Sequence, residues 1–281
     1  FDFVETDPLL VISFGKSARR MASQLLQELP DVQIRGLIVP PDADTDPLPP
    51  FEIISGGHPL PTTGSLLAGQ RALDLARSVA ANETILFLVS GGGSAMLELP
   101  ADDRVTVDEL RLLNQSLIGS GANIGEINTV RRQLSAIKGG KLAIAGSAAK
   151  AQRTLVISDV PNDTPAAAIA SGPTVADPST IAECRSVLDR YNIWPSVPAA
   201  LQDRIVQNDL PCSMPIDHEI AQRSDLMQLL GERDAHDAAR VAAARLGWSV
   251  DGDCNVDDWP YEDAAVHLLK RLRKLQQTHP N

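Results

Sequence analysis

The sequence predicts an α/β fold: a Rossmann-like, mostly parallel sheet with helices on both faces. Two observations carry this. Short apolar runs alternate along the chain with stretches of helical spacing, and runs such as "LLVISF" and "TILFLV" are apolar at nearly every position, as strands buried on both faces are. At 281 residues, 43% hydrophobic and 22% charged, the chain can also bury a sizeable core.

Leu9 to Phe14 reads as the first strand, and in "GKSARRMASQLLQEL" the residues Ala18, Met21, Ala22, Leu25, Leu26 and Leu29 recur on one helical face. "IRGLIVP" and "FEIIS" are two further strands, separated by a proline-rich loop from Pro40 to Pro50. A helix comes next, around Ser65 to Ala80, then a strand over Thr84 to Val89. Thr106 and Glu109 form a capping box that starts a helix ending at Gly119 to Gly121. The helix through "IGEINTVRRQLSAIK" is expected to stop at Gly139 and Gly140, and Thr154 to Ser158 reads as another buried strand. The stretch 232–281 reads as a helix, a strand and a basic amphipathic helix with Ala265, Leu268, Leu269 and Leu272 on one face, completing a single domain over 1–281.

Ligands in such folds sit beyond the carboxyl ends of the strands. Three strand ends carry unusual residues: Gly15, Lys16 and Ser17; Ser90, Gly91, Gly92, Gly93 and Ser94; and Asp159, Asn162 and Asp163. The net charge of −11 disfavours nucleic acid and anionic membrane as partners, which are held by surplus Lys and Arg. No apolar run approaches the roughly 20 residues of a membrane span. Cys184, Cys212 and Cys254 are odd in number and widely spaced, so a disulfide framework is not expected, and a reducing cytoplasm fits best. The charge is uneven: between Glu126 and Asp159 there is no acidic residue, while Arg131, Arg132, Lys138, Lys141, Lys150 and Arg153 all fall there. One basic segment in an acidic chain points either to a focused site for a small anion or to a solvated helix face.

The glycine turn at Ser90 to Ser94 matches none of the common glycine motifs. "GKS" at Gly15 to Ser17 lacks the first glycine of a Walker A loop, because Leu10 stands there. No G-x-G-x-x-G comes after a predicted strand, and a nucleophile elbow would need glycine where Met96 stands. Two readings remain: an anion cradle of backbone N–H groups, or a tight strand-to-helix turn with no ligand.

"FGKSARRM", "SGGHPLP", "LVSGGGSAML", "INTVRRQLSAIKGGKLA" and "LVISDVPNDTPAAAIASGPTVADPST" together resemble, in this order, the amino-terminal domain of the bacterial glycerate 2-kinases of the MOFRL family, over about Leu9 to Tyr191. The resemblance implies transfer of the γ-phosphoryl of ATP to the 2-hydroxyl of D-glycerate, with magnesium. It implies Lys16 as the catalytic cation. Ser90, Gly91, Gly92, Gly93, Ser94, Asn128, Arg131, Lys138 and His58 would contact substrate or phosphate, and Asp159 and Asp163 would hold the metal. Arg132, off the face shared by Asn128 and Arg131, is expected to be solvated, and Ser171 and Thr174 to make polar contacts or turn bonds. Asn162 replaces a glycine of the family's Asp-Val-x-Gly-Asp pattern.

Full family members continue into a second domain with Gly-Gly-Glu and Gly-Gly-Arg-Asn motifs, and neither motif occurs in this sequence. The chain is therefore expected to supply one wall of an inter-domain site, with the second domain missing or separate, or a homo-oligomer completing it. A non-catalytic glycerate- or phosphate-binding module is the alternative. A hydroxypyruvate reductase, a label some members carry, is disfavoured by the absent dinucleotide fingerprint.

Overall fold

The computed structural model describes residues 7–41, 46–158, 166–248, 250 and 260–278. The chain falls into two compact units: Phe1–Ile157 with Thr164–Leu229, and Ser158–Asp163 with Leu230–Asn281.

The first unit opens with β1 (Leu9–Phe14), α1 (Ala18–Glu28), β2 (Ile34–Val39), β3 (Phe51–Ile53), α2 (Thr63–Arg77), β4 (Thr84–Ser90) and a single short turn of helix, α3 (Gly93–Met96). It continues through α4 (Val107–Gly119), α5 (Ile124–Gln133), α6 (Lys141–Ala145), β5 (Ala151–Ile157), α7 (Ile181–Arg190), α8 (Ala199–Gln207), α9 (Glu219–Arg223) and β6 (Ser224–Leu230). The sheet has the order β3-β2-β1-β4-β5-β6. The pairs β1–β2, β1–β4, β2–β3 and β4–β5 are all parallel. Every residue of β1 and β4 is buried, which is why these strands read as unbroken apolar runs.

Alternate residues of the strands serve different layers. Leu9, Val11, Leu86 and Leu88 pack with Ala18, Met21 and Ala22 of α1, so the helical stripe read from the sequence is the stripe that meets the sheet. A second core joins Leu110, Leu113 and Leu117 of α4 to Ile127 and Val130 of α5, Val187 and Leu188 of α7, and Leu201 and Ile205 of α8. The helix starts are locally encoded. Thr106 Oγ1 accepts the Glu109 N–H while Glu109 Oε2 accepts the Thr106 N–H at 2.9 Å, and Asn123 with Glu126 and Thr180 with Glu183 repeat the device.

The structure differs from expectation in two places. First, α5 ends at Gln133, short of Gly139. There the chain leaves the helix to pair with the segment after α3: the Ala136 N–H donates to Leu99 O at 2.7 Å and the Ala101 N–H to Leu134 O at 2.8 Å. Tertiary pairing here outbids helical propensity, and Lys138 sits on a turn.

Second, the helices of 232–281 belong to the second unit, not to the sheet domain. They are α10 (Glu232–Arg245) and α11 (Tyr261–Thr278), each without a buried residue. Gly247, Trp248 and Val250 lie outside any strand, and the remainder of the expected strand lies outside the described residues. No helix among the described residues is long and apolar enough to cross a membrane.

Candidate functional site at the carboxyl edge of the sheet

Parallel pairing of β1 with β4 brings their carboxyl ends side by side, so the two sequence motifs just beyond them touch. The Lys16 N–H donates to Gly91 O at 2.9 Å, and the Ser17 N–H donates to Ser90 Oγ at 2.9 Å. Ser90 is buried, and its hydroxyl has the Phe14 carbonyl at 3.5 Å. Gly15 is required where these loops cross. Its φ is +109°, and a Cβ there would lie 2.4 Å from Ser90 O. Lys16 itself is exposed at this edge.

The glycine turn reverses the chain through Gly92, whose φ of +83° is left-handed, and leads straight into α3. Within the turn the carbonyls of Gly91 and Gly92 accept hydrogen bonds, while the amides of Gly92, Gly93 and Ser94 are not used as donors among the described residues. The exposed imidazole of His58 lies against this turn: a Cβ on Gly92 would meet its Cδ2 at 2.8 Å. Gly93 is hemmed in by Phe14 and by Ala170, the latter 2.9 Å from where a Cβ would stand. Ala170, Ser171 and Gly172 are three consecutive left-handed residues, a costly backbone held in place by burial.

Ser171 is the hinge of a hydrogen-bonded chain. Its hydroxyl donates to Asn128 Oδ1 at 3.0 Å and lies 2.9 Å from Ser94 Oγ. Because Asn128 Oδ1 can only accept, the Ser171 proton is committed to it, and the Ser94 proton is then the one shared between the two serines. Asn128 is 1% exposed, and its Nδ2 finds no partner among the described residues. Both roles open to Ser171 are filled at once: its backbone is turn-like, and its side chain joins α3 to α5. Thr174 Oγ1 instead accepts from Thr154 Oγ1 at 3.0 Å inside the fold.

Arg131, one turn after Asn128 on α5, is half-buried and donates through Nε to Asn114 Oδ1 of α4 at 3.0 Å. Burial pulls its pKa below the ordinary arginine value, against the attraction of Glu98. Lys138, expected to line the same cleft, instead has its ammonium enclosed in an ion pair with Glu98, the two side chains 1% and 6% exposed. Burial lowers its pKa as well, with Glu98 opposing the shift. Glu98 Oε1 further accepts from Ser135 Oγ at 2.8 Å and from the Leu99 N–H at 2.9 Å.

Arg132, expected to be solvated, ion-pairs with Asp177 at 3.0 Å, and its side chain is only 11% exposed. Lys141 donates to the Arg132 and Ser135 carbonyls at 2.5 and 2.8 Å, a cation on the carboxyl end of α5, and burial brings its pKa down to about 8. Sequence reasoning does not single out Glu98 or Asp177. Their only signals are a carboxylate between Leu97 and Leu99 and an Asp before Pro178. Asp159 and Asp163 lie outside the described residues, and among the described residues no group of three or more His, Cys, Asp or Glu side chains could hold a metal ion.

Residues 1–206 match the model of a family described as a domain of unknown function, DUF4147. The chain belongs to the DUF4147 family. Within it, the chain is 40% identical over 194 residues to a glycerate 2-kinase of Pyrococcus horikoshii, covering 68% of this chain and 42% of the relative. It is also 40% identical over 203 residues to a protein of Agrobacterium vitis that carries a provisional hydroxypyruvate reductase name, covering 72% of this chain and 45% of the relative. The crystal structure of a glycerate kinase from Thermotoga maritima superposes with a TM-score of 0.72 at 32% identity, covering 87% of this chain and 56% of that one. This DUF4147 chain spans about half the length of the curated relatives it matches.

Proposed function

We propose that this chain carries one wall of a glycerate 2-kinase site, which transfers the γ-phosphoryl of ATP to the 2-hydroxyl of D-glycerate and gives 2-phosphoglycerate and ADP. The observation that carries the reading is the meeting of the Lys16 loop with the glycine turn at one sheet edge, beside the Ser94–Ser171–Asn128 chain. Phosphoryl transfer asks the protein for positive charge and fixed donors around the moving group, and little covalent chemistry. Lys16 supplies the charge. The amides of Gly92, Gly93 and Ser94, not used as donors within the turn, supply dipoles at a place where side-chain-free residues allow close approach. His58 borders the same turn.

Asp159 and Asp163, oxygen donors of the kind magnesium prefers, are the residues that would hold the ion, which when bound neutralises charge on the phosphates. The names of the Pyrococcus horikoshii and Thermotoga maritima relatives support the reading. The absence of a G-x-G-x-x-G turn after β1 or β4 speaks against the reductase name.

The test is incubation of the chain with ATP, magnesium and D-glycerate, alone and with the remaining portion of the Thermotoga maritima relative supplied, with NMR detection of 2-phosphoglycerate. Product is expected at least in the second arm. No product in either arm sinks the kinase reading, and oxidation of NADH or NADPH on adding hydroxypyruvate would put the reductase in its place.

A further inference from the structure

Around α5 two buried carboxylates each take one cation, while Lys141 and Arg131 have no carboxylate partner among the described residues. Glu98 takes Lys138 and Asp177 takes Arg132. The Lys141 ammonium takes two carbonyls at the end of the helix. Arg131 has no carboxylate within ion-pair distance among the described residues, and its one hydrogen bond uses Nε, leaving the two Nη groups without an acceptor. A guanidinium in this half-buried setting has lost much of its hydration without gaining a counter-ion. One turn back on the same face, Asn128 also lacks an acceptor. Its Oδ1 is fixed by Ser171, and Nδ2, at 1% residue exposure, is left without a partner among the described residues. Residues three apart on a helix are neighbours, so the Arg131 fork and the unpartnered Asn128 amide occupy adjacent positions of α5.

We infer that Arg131 and Asn128 form the subsite for the carboxylate of the substrate, leaving the Lys16 loop and the glycine turn to the transferred phosphoryl group. This inference rests on the kinase reading for its second half and on the donors themselves for its first. A carboxylate matches the site in charge and shape. One uncompensated guanidinium calls for one negative charge, which a triphosphate exceeds several-fold. The paired Nη donors fit two carboxylate oxygens, and an amide N–H completes an oxygen's remaining lone pair. Arg131 is itself oriented by Asn114, whose Nδ2 is in turn fixed on Leu110 O at 2.9 Å, so the fork is held before any ligand arrives.

The experiment measures binding by calorimetry to the whole chain, with D-glycerate, with glycerol as the same carbon chain lacking the carboxylate, and with ADP. Wild type is expected to bind D-glycerate and to ignore glycerol. Arg131→Gln is expected to weaken D-glycerate about 10- to 100-fold, the range of a charge-assisted bond, with ADP unchanged within about 2-fold. Arg131→Lys is expected to recover only part of the loss, because an ammonium cannot present the fork. Asn128→Ala, which removes the unpartnered amide, is expected to weaken D-glycerate about 5-fold or more and serves if Arg131→Gln fails to fold.

The inference is overturned if wild type binds no D-glycerate, if a folded variant at both positions binds it as wild type does, or if ADP weakens in parallel. Carboxylate-dependent binding without any phosphorylated product sinks the kinase reading alone.

Discussion

Replacing Glu98 by Gln removes one charge and almost no volume from the buried pair with Lys138. Gln keeps an oxygen for Ser135 Oγ and the Leu99 N–H, so the change isolates the ammonium. Stranding one member of a buried pair costs about 3–5 kcal/mol. The structure also sets a ceiling. Lys138, at 1% exposure, can escape by releasing its proton, and at pH 7 that costs about 5 kcal/mol, from an unfolded pKa near 10.4 at ~1.4 kcal/mol per unit.

In the variant the folded-state pKa of Lys138 is pushed further below the unfolded one, the unfolded chain binds more protons, and stability relative to wild type rises with pH. By pH 9 the ceiling has fallen to about 2 kcal/mol. Adding Lys138→Met to Glu98→Gln is expected to restore at least about 2 kcal/mol at pH 7. Urea denaturation monitored by circular dichroism at pH 7 and 9 measures all three differences. A loss under about 1 kcal/mol at pH 7, or one that does not shrink by pH 9, would refute the reasoning.

Lys16→Ala is expected to lower formation of 2-phosphoglycerate by at least about 100-fold with an unchanged urea midpoint, and retained turnover would move the catalytic cation elsewhere. Gly15→Ala sets a Cβ 2.4 Å from Ser90 O at a φ of +109°, and is expected to cost about 1–3 kcal/mol in the same titration. Cys184 is buried with its thiol pushed up to about 12, whereas Cys212 is exposed. Alkylation of the native chain and subsequent peptide mapping should therefore mark Cys212 and spare Cys184 until denaturant is added.

Most of the sheet is legible in the sequence because its cause is local and repetitive. Leu9 to Phe14 and Thr84 to Val89 are apolar throughout because both their faces are covered, and the Thr106–Glu109 capping box marks its helix without reference to anything distant. The ends of β1 and β4 are legible for the same reason, since parallel pairing carries the residues after both strands to one edge. The segment after Gln133 is not legible in this way: "LSAIK" continues a helical pattern, and only the bonds to Leu99 and Ala101 stop it. That stop places Lys138 on a turn facing Glu98 and lets Lys141 reach back to the helix end.

The sequence by itself determined the α/β architecture, the glycine turn with its neighbouring lysine loop, and a basic segment without acidic residues. Which of those cations are spent within the fold and which is left over only the tertiary structure decided. Glu98 lies 40 residues from its partner Lys138, and Asp177 lies 45 from Arg132, roughly ten times the reach of helical neighbours. A buried charge takes its meaning from the counter-charge packed against it, and no spacing along the chain carries that. The glycine turn is the same residues read either way. The structure adds a serine–serine–asparagine chain beside it and one guanidinium without an ion-pair partner among the described residues.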